Sequence, residues 1–442
     1  MLTLAWPLIL TNLSQAAIHA TDVILLGWLG PRSLAAGALG TNLVMACVIF
    51  GSGLMTATAP MIARELGRRR HSVRDVRRTV RAALWAAVVL VVPLWALLWN
   101  AEHILLAMGQ DPGLATQAGR LVHAMMWGML PFFGYVVLRN YVAALERPMW
   151  SLAIAVVAVV FNAIVNYGLV FGNFGLPRLE VVGAGIGSSL SNCIMFAGMA
   201  LVVTRHPRFR RYRLFGHFWR ADWERFRAVW RLGLPIAVTL ALEATVFNAA
   251  VFLMGLISTT ALAAHAVAIQ IASLSFMIPL GLGQAATVRV GLAAGRGDRG
   301  GIARAGWTAF TLAEGVMLAV ALVMIFSPLP LISAFMDVTD PGHADVVALA
   351  VSFLAVAGLF QLVDGAQVIG AAMLRGLHDT RIPMLFAGLG YWVLGLPVGA
   401  WLAFRGDWGG VGIWTGLALG LAIVSAMMLG RWMARERLGL VG

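Results

Sequence analysis

The chain has 442 residues, of which 60% are hydrophobic and only 12% charged, and a formal net charge of +13. So little polar surface cannot cover a water-soluble globule, which excludes a soluble enzyme and points to a polytopic membrane protein. All 32 basic residues are arginine; they fall in the gaps between apolar runs rather than along one helix face, so no nucleic-acid partner is expected.

Taken in chain order, the apolar runs predict twelve spans, near 4–29, 36–62, 82–101, 117–140, 149–172, 183–204, 232–257, 262–288, 303–327, 345–373, 382–404 and 410–433. The first run has no basic segment before it and is interrupted by Asn12, Gln15, His19 and Asp22. That is unlike a cleaved signal peptide, so the first helix is expected to stay in the protein. Cys47 and Cys193 both lie inside apolar runs, where they read as small core residues and not as a disulfide or thiolate metal site.

Loop charge sets the expected orientation. The gap after span 2 carries Arg64, Arg68, Arg69, Arg70, Arg74, Arg77, Arg78 and Arg81, and the segment from Arg205 to Arg231 carries nine more arginines. Together with the arginines of the other loops on that side they make 28 of the 32. The positive-inside rule makes this side the cytoplasm, and an even number of spans puts both termini there.

A shift of 228 residues superimposes the start of the chain on its middle. Pro7 falls on Pro235, Thr11 on Thr239, Gly27 on Gly255, Leu34-Ala35-Ala36 on Leu262-Ala263-Ala264 and Gly67-Arg68 on Gly295-Arg296, giving 15 identities over 62 positions. A weaker echo pairs Leu138-Arg139 with Leu374-Arg375. Each copy holds six spans, so the copies enter the membrane in the same direction, related by a pseudo-twofold along its normal. The predicted fold is therefore all-α and integral to the membrane: twelve transmembrane helices in two six-helix parallel repeats. The expected organisation is an N-terminal lobe over 1–204, a basic cytoplasmic linker over 205–231 and a C-terminal lobe over 232–442, suited to alternating access with a substrate between the lobes.

Four carboxylates fall inside spans: Asp22, Glu243, Glu314 and Asp364. An ionised group there is costly and marks a candidate site. Asn12, Gln15, His19 and Asp22 follow at spacings of 3, 4 and 3, which puts them on one helical face. Asn162 and Asn166 share a face of span 5, and Gln361, Asp364 and Gln367 share one of span 10. Blander readings exist. An asparagine pair also serves as interhelical glue, His19 and His265 read as packing residues for want of a second ligand at metal-binding spacing, and Glu314 lacks polar neighbours at helical spacing. A carboxyl group in low dielectric takes up a proton more readily than in water, and its oxygens, joined by amide oxygens, can instead hold sodium. Either property attracts a cationic substrate that the ion then expels, which is the physical basis of antiport.

Thr21-Asp22-Val23 followed by Gly27, Asn162-x-x-x-Asn166, Gly183-Ala184-Gly185, Pro235 with Glu243, and Gln361-x-x-Asp364-x-x-Gln367 followed by Leu374-Arg375-Gly376 together resemble the multidrug and toxic compound extrusion (MATE) family, closest to its NorM-like branch. The resemblance covers essentially the whole chain. It implies a multi-pass protein of the bacterial inner membrane, a monomer, that exports cationic and amphipathic drugs or dyes against H+ or Na+ and needs no cofactor. By that resemblance Glu243 and Asp364 form the cation-coupling site, and would be the ligands of any Na+. Asp22, Asn162 and Asn166 form the polar pocket of the N-terminal lobe, with Gln15, Gln361, Gln367 and Phe360 as further lining. NorM-like members often carry tyrosine where this chain has Phe360, and the missing hydroxyl favours H+ over Na+.

Two other functions fit parts of the pattern. A lipid-linked precursor flippase of the same superfamily would place basic residues centrally, and the spans hold almost no central arginine. An intramembrane aspartyl hydrolase would use Asp22 and Asp364, but these lie in different lobes, no Gly-x-Gly-Asp-like sequence surrounds either, and hydrolysis has no need of a duplicated lobe.

Overall fold

The computed structural model describes residues 1–68, 72–216, 218–220 and 222–441. Arg69 and Arg70, counted above among the basic loop residues, lie outside them. The described residues form helices and connecting turns, with no strand among them.

Among the described residues, twelve helical segments are long and apolar enough to cross a membrane. Spans 1 to 6 are Leu2–Leu29, Pro31–Arg68, Val73–Trp99, Pro112–Ala144, Met149–Phe171 and Glu180–Arg205; spans 7 to 12 are Trp223–Ile257, Thr259–Arg296, Arg299–Phe326, Pro341–Gly376, Arg381–Phe404 and Gly409–Met433. Backbone groups have no water to bond in a bilayer, which is why apolar runs of this length become helices and not extended chain.

Two helices begin well before hydropathy places them. Span 3 starts at Val73, so Arg74, Arg77, Arg78 and Arg81 stand on a helix rather than in a loop. Span 7 starts at Trp223, because Asp222 Oδ1 accepts the Arg225 backbone N–H at 3.2 Å and supplies a helix cap. Polar helical turns outside the hydrocarbon carry no hydropathy signal, so the apolar window misses them. Cys193 also differs from expectation: it is free and exposed on the surface of span 6 instead of packed in a core.

Contacts divide the chain into two compact units, Leu10–Ala237 and Met1–Ile9 with Val238–Gly442. In the first, span 6 packs on spans 4 and 5, and span 2 packs on span 4. Close approach of spans 5 and 6 depends on Gly183, where a Cβ would press on the Leu169 carbonyl. In the second unit, span 10 packs against spans 8, 9 and 12 and so forms its centre. Span 11 is interrupted by a π-helical stretch, Gly388–Gly395, a form that recurs at functional positions.

Candidate functional site

Each unit buries a carboxylate centre, and the two are built differently. In the unit Leu10–Ala237, Asp22 of span 1 is 8% exposed. Asn166 Nδ2 of span 5 donates to its Oδ1 at 2.5 Å, and Ser188 Oγ of span 6 donates to its Oδ2 at 2.6 Å. Asn162, one turn before Asn166, adjoins the same carboxylate, but neither atom of its amide makes a hydrogen bond of acceptable geometry. Gly187 lets Asn166 stand there, since a Cβ at that position would overlap the Asn166 amide oxygen.

Ser188 also borders a cavity of about 90 Å³ in this unit. Met45, Met125, Met129 and Met195 give it a polarizable wall, with Gln15 and Phe132 on other sides. Unbranched methionine adapts its shape to varied apolar ligands. A little further along span 1, Gln15 Oε1 and Asn12 Oδ1 accept from Arg139 Nη1 at 3.3 and 3.5 Å. Arg139 is itself 8% exposed.

The second unit crowds like charge. Asp364 on span 10 is 3% exposed and its Oδ1 has no hydrogen-bond partner. Glu243 of span 7 and Glu314 of span 9 both bring negative charge up to it, and Arg375, three turns along span 10, brings positive charge to Glu243. Glu314 Oε1 would lie 2.9 Å from a Cβ on Gly365, the residue after Asp364. Gln361 Nε2 donates to the Ala272 carbonyl at 3.2 Å, while the amide oxygens of Gln361 and Gln367 and Oε1 of Glu314 remain unpaired. Tyr391, on the π-helical stretch, buries a hydroxyl without a partner and lies within electrostatic reach of Glu243 and Asp364. Its neighbour Trp392 donates Nε1 to the carbonyl of Leu242 at 3.2 Å, which holds that stretch against the turn carrying Glu243. Unsatisfied buried acceptors each cost about 1–3 kcal/mol, so a centre with several of them favours a bound cation or proton.

The MatE family model matches this chain twice, over residues 7–168 and 235–401. The chain belongs to the MatE family. The two matches begin at Pro7 and Pro235, 228 residues apart (235 − 7), the same offset that aligns the two halves of the sequence. A protein of Mesorhizobium japonicum named "Probable multidrug resistance protein NorM" is 59% identical over 437 residues, covering 99% of this chain and 94% of its own length. A protein of the same name from Brucella suis biovar 1 is 54% identical, covering 98% and 92%. Among solved structures, a eukaryotic MATE transporter superimposes with a TM-score of 0.86 at 20% identity, covering 99% of this chain and 97% of its own. An outward-facing multidrug resistance MATE family transporter of the MOP superfamily gives 0.87 at 19%, covering 100% and 95%. These establish the MATE fold for the chain, with its twelve spans in two six-helix repeats.

Within this MatE chain the sequence-predicted residues fall into two groups. Asp22, Asn162 and Asn166 come together in one unit, with Gln15 on the wall of the adjoining cavity. Glu243, Asp364, Gln361 and Gln367 belong to the other. Phe360 packs edge-on against Phe247 and Trp414, at 6.0 and 5.6 Å between ring centroids, so it is a wall of the aromatic core. Sequence reasoning missed Ser188, Tyr391 and the approach of Glu314 to Asp364. Ser188 sits among other small residues of span 6, and nothing in spacing separates it from them. Arg139, towards one end of span 4, is buried and bonded to the polar face of span 1.

Proposed function

We propose that this MatE protein is a multidrug exporter that drives cationic and amphipathic compounds out of the cell in exchange for H+ or Na+, by alternating access. Glu243 and Asp364 bind the coupling cation. Asp22, Asn162 and Asn166 form a polar pocket in the N-terminal half, with Ser188 as a fourth member. The lobes are 1–204 and 232–442, joined by the linker 205–231. The protein works as a monomer in the inner membrane, with both termini in the cytoplasm.

The observation that carries this reading is that Glu243 and Glu314 both lie within electrostatic reach of Asp364, with one oxygen of Glu314 and one of Asp364 left unpaired. Like-charged carboxylates in a low-dielectric setting cannot all stay ionised and unpaired. They must share a proton or a metal cation, and cycling that ion is what antiport requires. Export of drugs is supported by the names of the relatives and by the methionine-walled cavity beside Ser188, since a flexible apolar wall recognises many ligands. Hydrolase chemistry is set aside, because those relatives are named as multidrug resistance proteins and MATE transporters, not enzymes. Arg139 is the one observation that favours a precursor flippase, as a buried guanidinium could receive a pyrophosphate. Its bonds to Asn12 and Gln15 supply a structural account instead.

Ethidium efflux with sodium and pH gradients imposed separately tests the proposal. Glu243→Gln and Asp364→Asn should both reduce efflux to the level of cells lacking the protein. Unchanged efflux in either variant removes that residue from the coupling role.

A further inference from the structure

The arginines at the start of span 3 form an arrangement that transport does not use. Arg74, Arg77, Arg78 and Arg81 fall at i, i+3, i+4 and i+7 of the helix Val73–Trp99 and so share one face. Like charges four residues apart repel on a helix. The positive end of the helix dipole, where these residues stand, disfavours cations further. Arg220 approaches from the linker, and the charges of Arg77, Arg78 and Arg220 all reach Arg81. These five arginines line a cavity of about 730 Å³.

Two carboxylates, Asp222 and Glu224, share that lining. Asp222 is already taken by Arg78, whose Nε donates to its Oδ2 at 2.5 Å. Five guanidinium groups against two carboxylates leave an excess of three positive charges (5 − 2) around one opening. Arg74, Arg77 and Arg220 make no ion pair among the described residues.

The opening is held in shape by contacts of its own. Trp85, one turn beyond Arg81, stacks on Phe218 at 5.4 Å and donates Nε1 to the Phe218 carbonyl at 3.0 Å. Arg225 bridges Glu65 at 2.7 Å and Asp75 at 3.3 Å. The linker is thereby fastened to spans 2 and 3. Trp219, 83% exposed, lies 5.9 Å from Trp85, and Trp223, 65% exposed, is part of the cavity wall. Exposed tryptophan beside basic residues suits the headgroup level of a bilayer.

We propose that this cavity is a binding site for the phosphate of an anionic phospholipid headgroup, on the membrane face that carries the arginine-rich loops. Arg74, Arg77 and Arg220 donate to the phosphate oxygens, for which the guanidinium fork is well matched, and Trp219 and Trp223 lie at the boundary of headgroup and acyl chain. Filling the site relieves the repulsion along span 3. The inference goes beyond the transport reading and does not depend on it.

Native mass spectrometry of the full-length protein, titrated with phosphatidylglycerol and separately with phosphatidylcholine, tests it. Wild type should prefer phosphatidylglycerol, and the Arg74→Gln, Arg77→Gln, Arg220→Gln triple variant should bind it at least about tenfold more weakly, since each arginine near an anionic membrane contributes roughly a fivefold effect. The charge-keeping triple lysine variant should retain most of the preference, and Arg304→Gln, whose side chain is 77% exposed elsewhere, should retain all of it. If the triple glutamine variant is poorly folded, Arg77→Gln and Arg220→Gln taken singly should each weaken binding by about fivefold. Equal affinity for the two lipids, or an undiminished preference in folded glutamine variants, overturns the proposal. So does displacement of the lipid by an equimolar amount of inorganic phosphate, which would make free phosphate the ligand.

Discussion

Asp22 in one unit and Asp364 in the other are both buried aspartates on membrane-spanning helices, yet Asp22 has neutral donors on both oxygens while Asp364 has an oxygen with none. Glu243 and Glu314 add like charge around Asp364, and Asp22 has only amide and hydroxyl company. Duplication gave both units the same scaffold, because Gln15 and Glu243 occupy equivalent places under the 228-residue offset. The arginine echo follows the same rule: Arg139 meets Gln15, and Arg375 brings its charge to Glu243. One scaffold therefore holds an aspartate with both oxygens hydrogen-bonded beside a cavity, and an aspartate with an open oxygen among like charges. Charge was changed at a few positions while the helix framework was kept.

Two substitutions separate the two centres, and a third tests the linker outside them. The largest effect is expected from Gly187→Ala, which drives a methyl group into the Asn166 amide and breaks its hydrogen bond to Asp22. Overpacking of this kind costs about 1–3 kcal/mol. A thermal-shift measurement should show the loss, and drug efflux should fall with it; a variant of wild-type stability and activity would mean that Asn166 can leave Asp22 without consequence.

Tyr391→Phe probes the other centre more gently. If its hydroxyl joins the proposed coupling site, its loss should weaken apparent coupling-cation affinity by roughly three- to tenfold, the equivalent of one net hydrogen bond, with maximal efflux nearly unchanged. Cation-dependence curves measured at saturating ethidium would reveal it. Coincident curves would place the Tyr391 hydroxyl outside the coupling site and leave only the carboxylates there.

The smallest effect belongs to Asp222, outside both centres. Burial pushes its carboxyl up, but the Arg78 hydrogen bond and the Arg225 backbone N–H more than offset this and hold it below its ordinary value of 3.8. A depressed folded value gives stability that is present above the unfolded value and lost as pH falls through the folded one. Asp222→Asn should therefore lower thermal stability by about 1 kcal/mol or less near neutrality, since Arg78 is partly exposed. The gap between variant and wild type should close below about pH 4. A gap that persists in acid would mean that the cap geometry, and not the charge, fastens the linker.

Much of the architecture is legible in the sequence. Twelve spans, their grouping into repeats and the sharing of a helix face by Asn162 and Asn166 all follow from periodicity within contiguous segments. The candidate site was legible only in part. Asp22 and Asn166 announce themselves as polar residues in apolar runs, but Ser188, which completes that centre, stands 166 positions from Asp22 and is one of several serines in its helix. Glu314 looked isolated because spacing sees only neighbours along its own helix; its partner is on span 10. The arginine face of span 3 was read as loop charge because hydropathy marks where hydrocarbon begins, not where helix begins.

By itself, the sequence determined the membrane class, the duplicated halves and the family, since bilayer thickness and backbone hydrogen bonding leave an apolar run of that length almost no alternative to a helix. Only the tertiary structure decided which polar groups meet. Helix rotation and contact are set by packing among residues far apart in the chain, so it took the fold to join Ser188 to Asp22, to bring Glu243 and Glu314 up to Asp364, and to gather five arginines around one cavity.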